Sequence, residues 1–252
     1  MEPRVLSGPP RRGHQLVPAV IVQAYSAIYG DYDHPKPIAA AGFSRTPFMF
    51  TDSIRVRDEA RDLGWDPIVV PGEILWIDYP TNREPARIIK PMLDHKFWKC
   101  HPDKLPTDDI IDASIWLDGS VEPKPGFEEK ALAALGDDDW ACVPHPVRNC
   151  IYPEAEYSAT LTWRYDGPSI LAQADHYRQF HPPGTGLIAT GVNIRRHTPA
   201  VIELSHLWWD EILNWSHQDQ ISLPVLLRLA EGKVKWNMNL TWHQDWILHP
   251  HG

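Results

Sequence analysis

Long apolar runs are missing from this 252-residue chain. Nothing in it approaches the roughly 20 consecutive apolar residues that span a bilayer. The start, Met1-Glu2-Pro3-Arg4 followed by Arg11-Arg12, lacks the apolar core of a signal peptide. The expectation is a soluble, cytoplasmic protein with no membrane span. Cysteine is scarce: Cys100, Cys142 and Cys150 are odd in number and lack C-x-x-C spacing, so neither a disulfide framework nor a cysteine zinc site is indicated. Basic excess is absent too. With 24 Lys and Arg against 33 Asp and Glu the formal net charge is -9, the wrong sign for bulk attraction to a nucleic-acid backbone. The Gly-x-Gly-x-x-Gly and Walker phosphate loops do not occur, and neither does His-Glu-x-x-His, which sets a histidine-based metal hydrolase well behind other readings. No internal repeat and no break in composition divides the chain.

What the chain has instead is 13 histidines, 12 tryptophans and 25 prolines. Tryptophan faces serve as platforms for sugars, nucleobases and cations, although most pack in cores. Many prolines imply rigid loops of the kind enzymes carry. Residues 1–16 hold Gly8-Pro9-Pro10-Arg11-Arg12-Gly13 without hydrophobic period and are expected to form a flexible arm. Apolar runs at Pro18–Tyr25, Thr46–Asp52, Pro67–Val70, Ile110–Leu117 and Trp140–Val143 read as strands, and Gly186–Arg195 as a strand pair or a bulged strand. Helical spacing is read at residues 82–98, with Pro91 either kinking or splitting the helix, and at 125–135, 154–163, 165–180, 199–215 and 218–229. The tail from Trp236 has no assignment.

Ile115-Trp116-Leu117-Asp118-Gly119-Ser120 changes abruptly from buried strand to polar turn. Ligands of open α/β sheets collect at the carboxyl ends of such strands, so Asp118 either stands at the mouth of a site or opens an Asp-Gly turn. Arg87 and Lys90, three apart on a helix, form either a phosphate clamp or a solvated basic face.

Six motifs carry a resemblance. They are Ala27-Ile28-Tyr29-Gly30-Asp31-Tyr32-Asp33, Arg87-Ile88-Ile89-Lys90, Trp116-Leu117-Asp118-Gly119, His145-Pro146-Val147-Arg148-Asn149-Cys150-Ile151-Tyr152-Pro153-Glu154-Ala155, Leu207-Trp208-Trp209-Asp210-Glu211-Ile212, and Gln218-Asp219-Gln220-Ile221-Ser222. In that order the chain resembles a glycosyltransferase of the GT-A fold, and more narrowly the domain-of-unknown-function family 616. The resemblance implies an α/β fold whose mixed, mainly parallel central sheet is flanked by helices. It also implies one catalytic domain over residues 17–252, with a nucleotide-sugar half to about residue 120 and an acceptor half with the tail beyond it.

The implied reaction moves a sugar from a nucleotide-sugar donor, a uridine diphosphate (UDP) sugar, to a hydroxyl on a glycan, lipid, protein or modified base. The alternative is a carbohydrate- or nucleotide-sugar-binding protein without turnover. Tyr25, Ser26, Asp31 and Asp52 would hold the nucleoside, and Arg87, Lys90, His145, Arg148 and Gln220 the donor. GT-A enzymes hold a divalent metal, Mn2+ or Mg2+, on the donor diphosphate through an Asp-x-Asp motif. Here that motif reads Asp118-Gly119-Ser120, so the second acidic ligand is missing. Ser120 or a tail histidine, His243 or His249, would complete such a site, or Arg87 and Lys90 would replace the metal. Asp219 followed by Gln220 resembles the Asp-Gln pair that contacts the transferred sugar in retaining members. Asp219, Glu211 and Asp210 are the catalytic candidates, as charge stabilisers or as a general base. Trp208 and Trp209 are candidates to bracket a sugar ring.

Overall fold

A computed structural model describes residues 20–72, 90–241 and 244–250. Residues 1–16, the start of the helix expected at 82–98, Arg87 and His243 lie outside the described residues. The central sheet has seven strands: β1 (Val22–Ile28), β2 (Phe48–Thr51), β3 (Asp66–Val69), β4 (Ala113–Leu117), β6 (Trp140–Pro144), β7 (Ile188–Arg196) and β8 (Trp236–Asn237). Their spatial order is β3-β2-β1-β4-β7-β6-β8. The ladders from β3 through β4 and the β6 to β8 ladder are parallel, whereas β7 runs antiparallel to both neighbours. A second, two-stranded sheet pairs β5 (Val121–Pro123) with β9 (Trp246–Leu248). The α/β class with a mixed, mainly parallel sheet is thus what the chain adopts.

β1 and β4 are buried at every residue because helices cover both faces of the sheet. The period-2 alternation sorts them. Tyr25, Ala27 and Trp116 join one core with Leu93, Phe97 and Trp98 of α2 (Lys90–Cys100) and with Val201, Leu204, Trp208 and Trp209 of α6 (Pro199–Asn214). Val22, Ala24, Ile28, Ile115 and Leu117 face the other way, onto Val56 and Ala60 of α1 (Ile54–Asp62) and Phe127, Ala131 and Leu135 of α3 (Phe127–Leu135). A third cluster joins α4 (Ile151–Ala159), α5 (Gly167–Tyr177) and α7 (Asp219–Leu229) through Ile151, Ile170 and Ile221.

Several expectations change in detail. Of the helix expected at 82–98 the described part, α2, runs Lys90–Cys100 and carries Pro91 as its second described residue. β7 is one long strand, and the irregularity in its ladder lies opposite, between Ala141 and Val143. α1 has no counterpart in the sequence reading. The unassigned tail supplies β8 and β9, and β9 closes over β5 just beyond the Asp118 turn. Trp208 and Trp209 are fully buried and cannot bracket a sugar.

Gly30 closes the loop after β1 against α2. Its φ is +64, and a Cβ there would lie 2.8 Å from both Cβ and Cγ of Pro91. The left-handed backbone costs an L-residue about 1–2 kcal/mol, and overpacking adds about 1–3. Gly30→Ala is therefore expected to lower the unfolding free energy by about 2–5 kcal/mol, measured as a reduced urea midpoint at unchanged m-value.

Candidate active site

The sheet changes chain direction of growth between β1 and β4: β2 and β3 build outward on one side, β4 and β7 on the other. A crevice opens at such a switch point, outside the carboxyl ends of the strands. It encloses about 550 Å3 including its open mouth, and is lined by Ile28 and Tyr29 after β1, Asp118 and Gly119 after β4, Pro91, His95 and Lys96 of α2, and Arg164, Tyr165 and His217. Tyr29 is held in place by the Trp98 indole N–H, which donates to its hydroxyl at 2.9 Å. Trp98 in turn stacks on Phe50 at 3.5 Å between centroids.

Charges converge on the floor of the crevice. The Lys99 ammonium, fully buried, lies 2.9 Å from Asp118 Oδ1 and 2.8 Å from Asp219 Oδ2. Lys96 reaches the same Asp219 oxygen at 2.5 Å. Trp116 Nε1 donates to Asp118 Oδ1 at 2.7 Å, and His95 Nε2 lies 3.4 Å from it. Asp219 Oδ1 accepts from the Thr190 hydroxyl at 2.8 Å. Burial by itself would raise the Asp219 carboxyl; the Lys96 and Lys99 charges overcome it and hold it far below the usual range. Asp118 is likewise lowered against its own burial, by Lys99 and His95. Burial would lower the Lys99 amine, yet its two carboxylates raise it above the ordinary lysine value. In Lys96, which pairs with Asp219 and feels Asp118 more weakly, burial and the like charge of Lys99 prevail and the amine is lowered. Burial also pulls His95 down, and His217 to about 4.

The sequence candidates divide by place. Asp118 lines the crevice, Asp219 lies behind it through Lys96, and Ser120 is buried in the turn that follows Asp118. Tyr25 is a core residue, bonded to the Arg195 guanidinium and edge-on to Trp116, and Ser26 is buried in β1 with no partner for its hydroxyl among the described residues. Asp31 accepts from the Ser53 hydroxyl at 2.5 Å and pairs with Arg55 at the start of α1. Asp52 turns back to accept the Gly30 N–H at 2.9 Å, bracing the loop of the crevice. Lys90, the first described residue of α2, is not among the residues lining the crevice.

His145 and Arg148 surround Glu154, the former at 3.9 Å. Glu154 also accepts from Gln218 Nε2 at 3.0 Å, fixing the residue before Asp219. Gln220 follows Asp219 in the first turn of α7, half-buried. Glu211 accepts from the Tyr177 hydroxyl, and Asp210 lies in an open groove on α6 with His206; neither lines the crevice. His249 is engaged by Glu122 at 2.7 Å on the second sheet. Missed by the sequence reading are Lys99, Thr190, Arg164, Tyr165 and His217, together with the roles of His95 and Lys96. The available signal was His95, Lys96 and Lys99 within about one turn of a helix that also carries Leu93, Phe97 and Trp98.

A TOD1/MUCI70 glycosyltransferase-like domain matches residues 110–246, more than half of the chain. The chain belongs to this family. The match covers Asp118, Gly191 and Asp219 and leaves β1 and α2 outside it. No curated protein matches the sequence. Similar solved structures include the apo form of mouse xyloside xylosyltransferase 1, at 11% identity over 86% of this chain and 84% of that one with a TM-score of 0.47. The mannosyltransferase Ktr4p of S. cerevisiae shares 9% identity over 85% of this chain and 66% of its own, TM-score 0.43. The galactosyltransferase LgtC, solved with donor and acceptor sugar analogues, shares 13% over 82% and 70%, TM-score 0.44.

Among the described residues, the donor set around Asp118 does not fit the divalent metal that the GT-A resemblance implies. Asp118 Oδ1 already meets three nitrogens and both Asp219 oxygens are taken. No group of three or more His, Cys, Asp or Glu residues is placed to hold a metal among the described residues. A divalent ion about 4 Å from one ammonium is repelled by roughly 8 kcal/mol at an effective dielectric of about 20.

Removing one partner from a buried pair costs about 3–5 kcal/mol. Lys99→Met is expected to lose that much at pH 7. Because Asp118 and Asp219 bind protons more weakly folded than unfolded, their contribution is complete above the unfolded carboxylate pKa of about 3.9 and is lost as pH falls below it through the folded values. Wild type is thus expected to weaken steeply below about pH 4 and Lys99→Met less steeply. Urea denaturation at neutral and acid pH checks both.

Proposed function

We propose that this domain is a glycosyltransferase that moves a sugar from a nucleotide sugar, a UDP-sugar, to a hydroxyl acceptor, with the donor seated in the crevice between β1 and β4. The observation that carries the reading is the convergence of Asp118 and Asp219 on Lys99 at the floor of a switch-point crevice, within a glycosyltransferase-like domain. The motif order from Ala27 to Ser222 supports placing it with family 616. Tyr165, half-buried, offers a flat surface for the nucleoside at the crevice wall.

When the bond between sugar and diphosphate breaks, positive charge develops at the anomeric carbon and negative charge on the leaving diphosphate. Asp219 is suited to the first. A carboxylate held so far below its ordinary pKa is a poor proton acceptor, so it stabilises charge rather than deprotonating the acceptor. Thr190 and the lysines fix its orientation before the reaction, which is what electrostatic stabilisation requires.

The test is release of nucleoside diphosphate from a panel of UDP-sugars, followed by a coupled assay with and without hydroxyl acceptors. Release is expected for at least one donor, and Asp219→Asn is expected to lower kcat by about 100-fold while UDP affinity stays within about threefold. UDP binding without release from any donor would instead establish a binding protein without turnover.

A further inference from the structure

The misfit between the acidic pair and a metal leaves open what neutralises the leaving diphosphate. We propose that Lys96 does so directly, leaving Asp219 for the donor phosphates while Lys99 keeps the two carboxylates together; this rests on the nucleotide-sugar reading above. The two lysines are not equivalent. Lys99 is fully buried, is absent from the crevice lining, and is fixed by carboxylates on both sides. Lys96 lines the crevice, is 12% exposed, and holds only Asp219 Oδ2, an oxygen that Lys99 also holds. Its ammonium can therefore swing away without stranding a buried carboxylate.

Charge balance points the same way. Lys96 and Lys99 offset Asp118 and Asp219, so the floor is neutral before a donor arrives. An arriving diphosphate exchanges one carboxylate for phosphate oxygens around a cation already in place, and Arg164, at the crevice wall beside Tyr165, adds a second. Lysine suits the exchange, since a compact charge on a flexible stem turns from one oxygen to another without a fixed fork to realign.

The experiment is calorimetric titration of the full chain with UDP, guanosine diphosphate and adenosine diphosphate, each in chelator and in manganese. It compares wild type with Lys96→Met, Lys96→Arg and Lys104→Gln; Lys104 is exposed beyond the far end of α2 and controls for loss of one charge. Wild-type affinity for the preferred diphosphate is expected to agree within about twofold between chelator and manganese. Lys96→Met should weaken it at least tenfold, while Lys96→Arg keeps most of it and Lys104→Gln all of it. Binding abolished by chelator and restored by manganese would overturn the lysine assignment and leave the transferase reading standing. So would a folded Lys96→Met with wild-type affinity. If wild type bound none of the three diphosphates, the nucleotide-sugar reading would fail and the assignment with it. Should Lys96→Met not fold, the chelator comparison on wild type still decides between lysine and metal.

Discussion

The ammonium of Lys99 between Asp118 and Asp219 is the contact on which the crevice depends. It ties the carboxyl end of β4 to the first residue of α7 through a side chain of α2. Stability is a poor reason for it, since removing three charges from water costs several kcal/mol per ion, and well-packed apolar residues of similar volume often do as well or better. What the triad supplies is position. Three elements distant in sequence meet at a fixed distance, and each carboxylate stays ionised in a setting that would otherwise protonate it.

The antiparallel strand makes this meeting possible. Because β7 runs against β4, the middle of β7 lies beside the end of β4, where Asp118 N–H donates to the Gly191 carbonyl at 2.7 Å. Thr190, the neighbouring residue, then reaches Asp219. Gly191 acts here through its backbone, since a Cβ there would make only an ordinary van der Waals contact, 3.5 Å from Asp118 Oδ2. A parallel strand in that place would bring its own carboxyl end, and a loop rather than a ladder, to the same spot.

Hydrophobic pattern made β1, β4, α6 and α7 legible, since each buries a continuous run or a regular stripe. α1 was not legible because its apolar residues, Val56 and Ala60, are outnumbered by Arg, Asp and Glu, and its clearest sign is the Ser53 cap, whose hydroxyl accepts the Val56 N–H. Asp118 stood out because a strand ended on it. Lys99 did not, since a lysine in a helix reads as solvent-facing until a partner is known, and Asp219 lies 120 positions away. Tyr25 shows the opposite error. Its place near the end of the first strand suggested ligand contact, but the pleat turns it into the core, where burial raises its hydroxyl to about 12 and Arg195 takes it as a partner.

A chain with net charge -9 that offers a site to an anionic donor needs its attraction to be local. Fields from distant surface carboxylates fade beyond a Debye length of about 8 Å at physiological salt, whereas lysines on the floor of a crevice act at contact distance in a medium that screens them less. If Lys96 neutralises the donor diphosphate as proposed, a second acidic ligand at position 120 is dispensable. An Asp-x-Asp pair is useful when a cation must be recruited from solution; here the cations are covalently part of α2. A further carboxylate beside Asp118 would compete with the phosphates for Lys96 and weaken the binding it serves elsewhere, so a small buried serine at that position is consistent with charge neutralisation built into the fold.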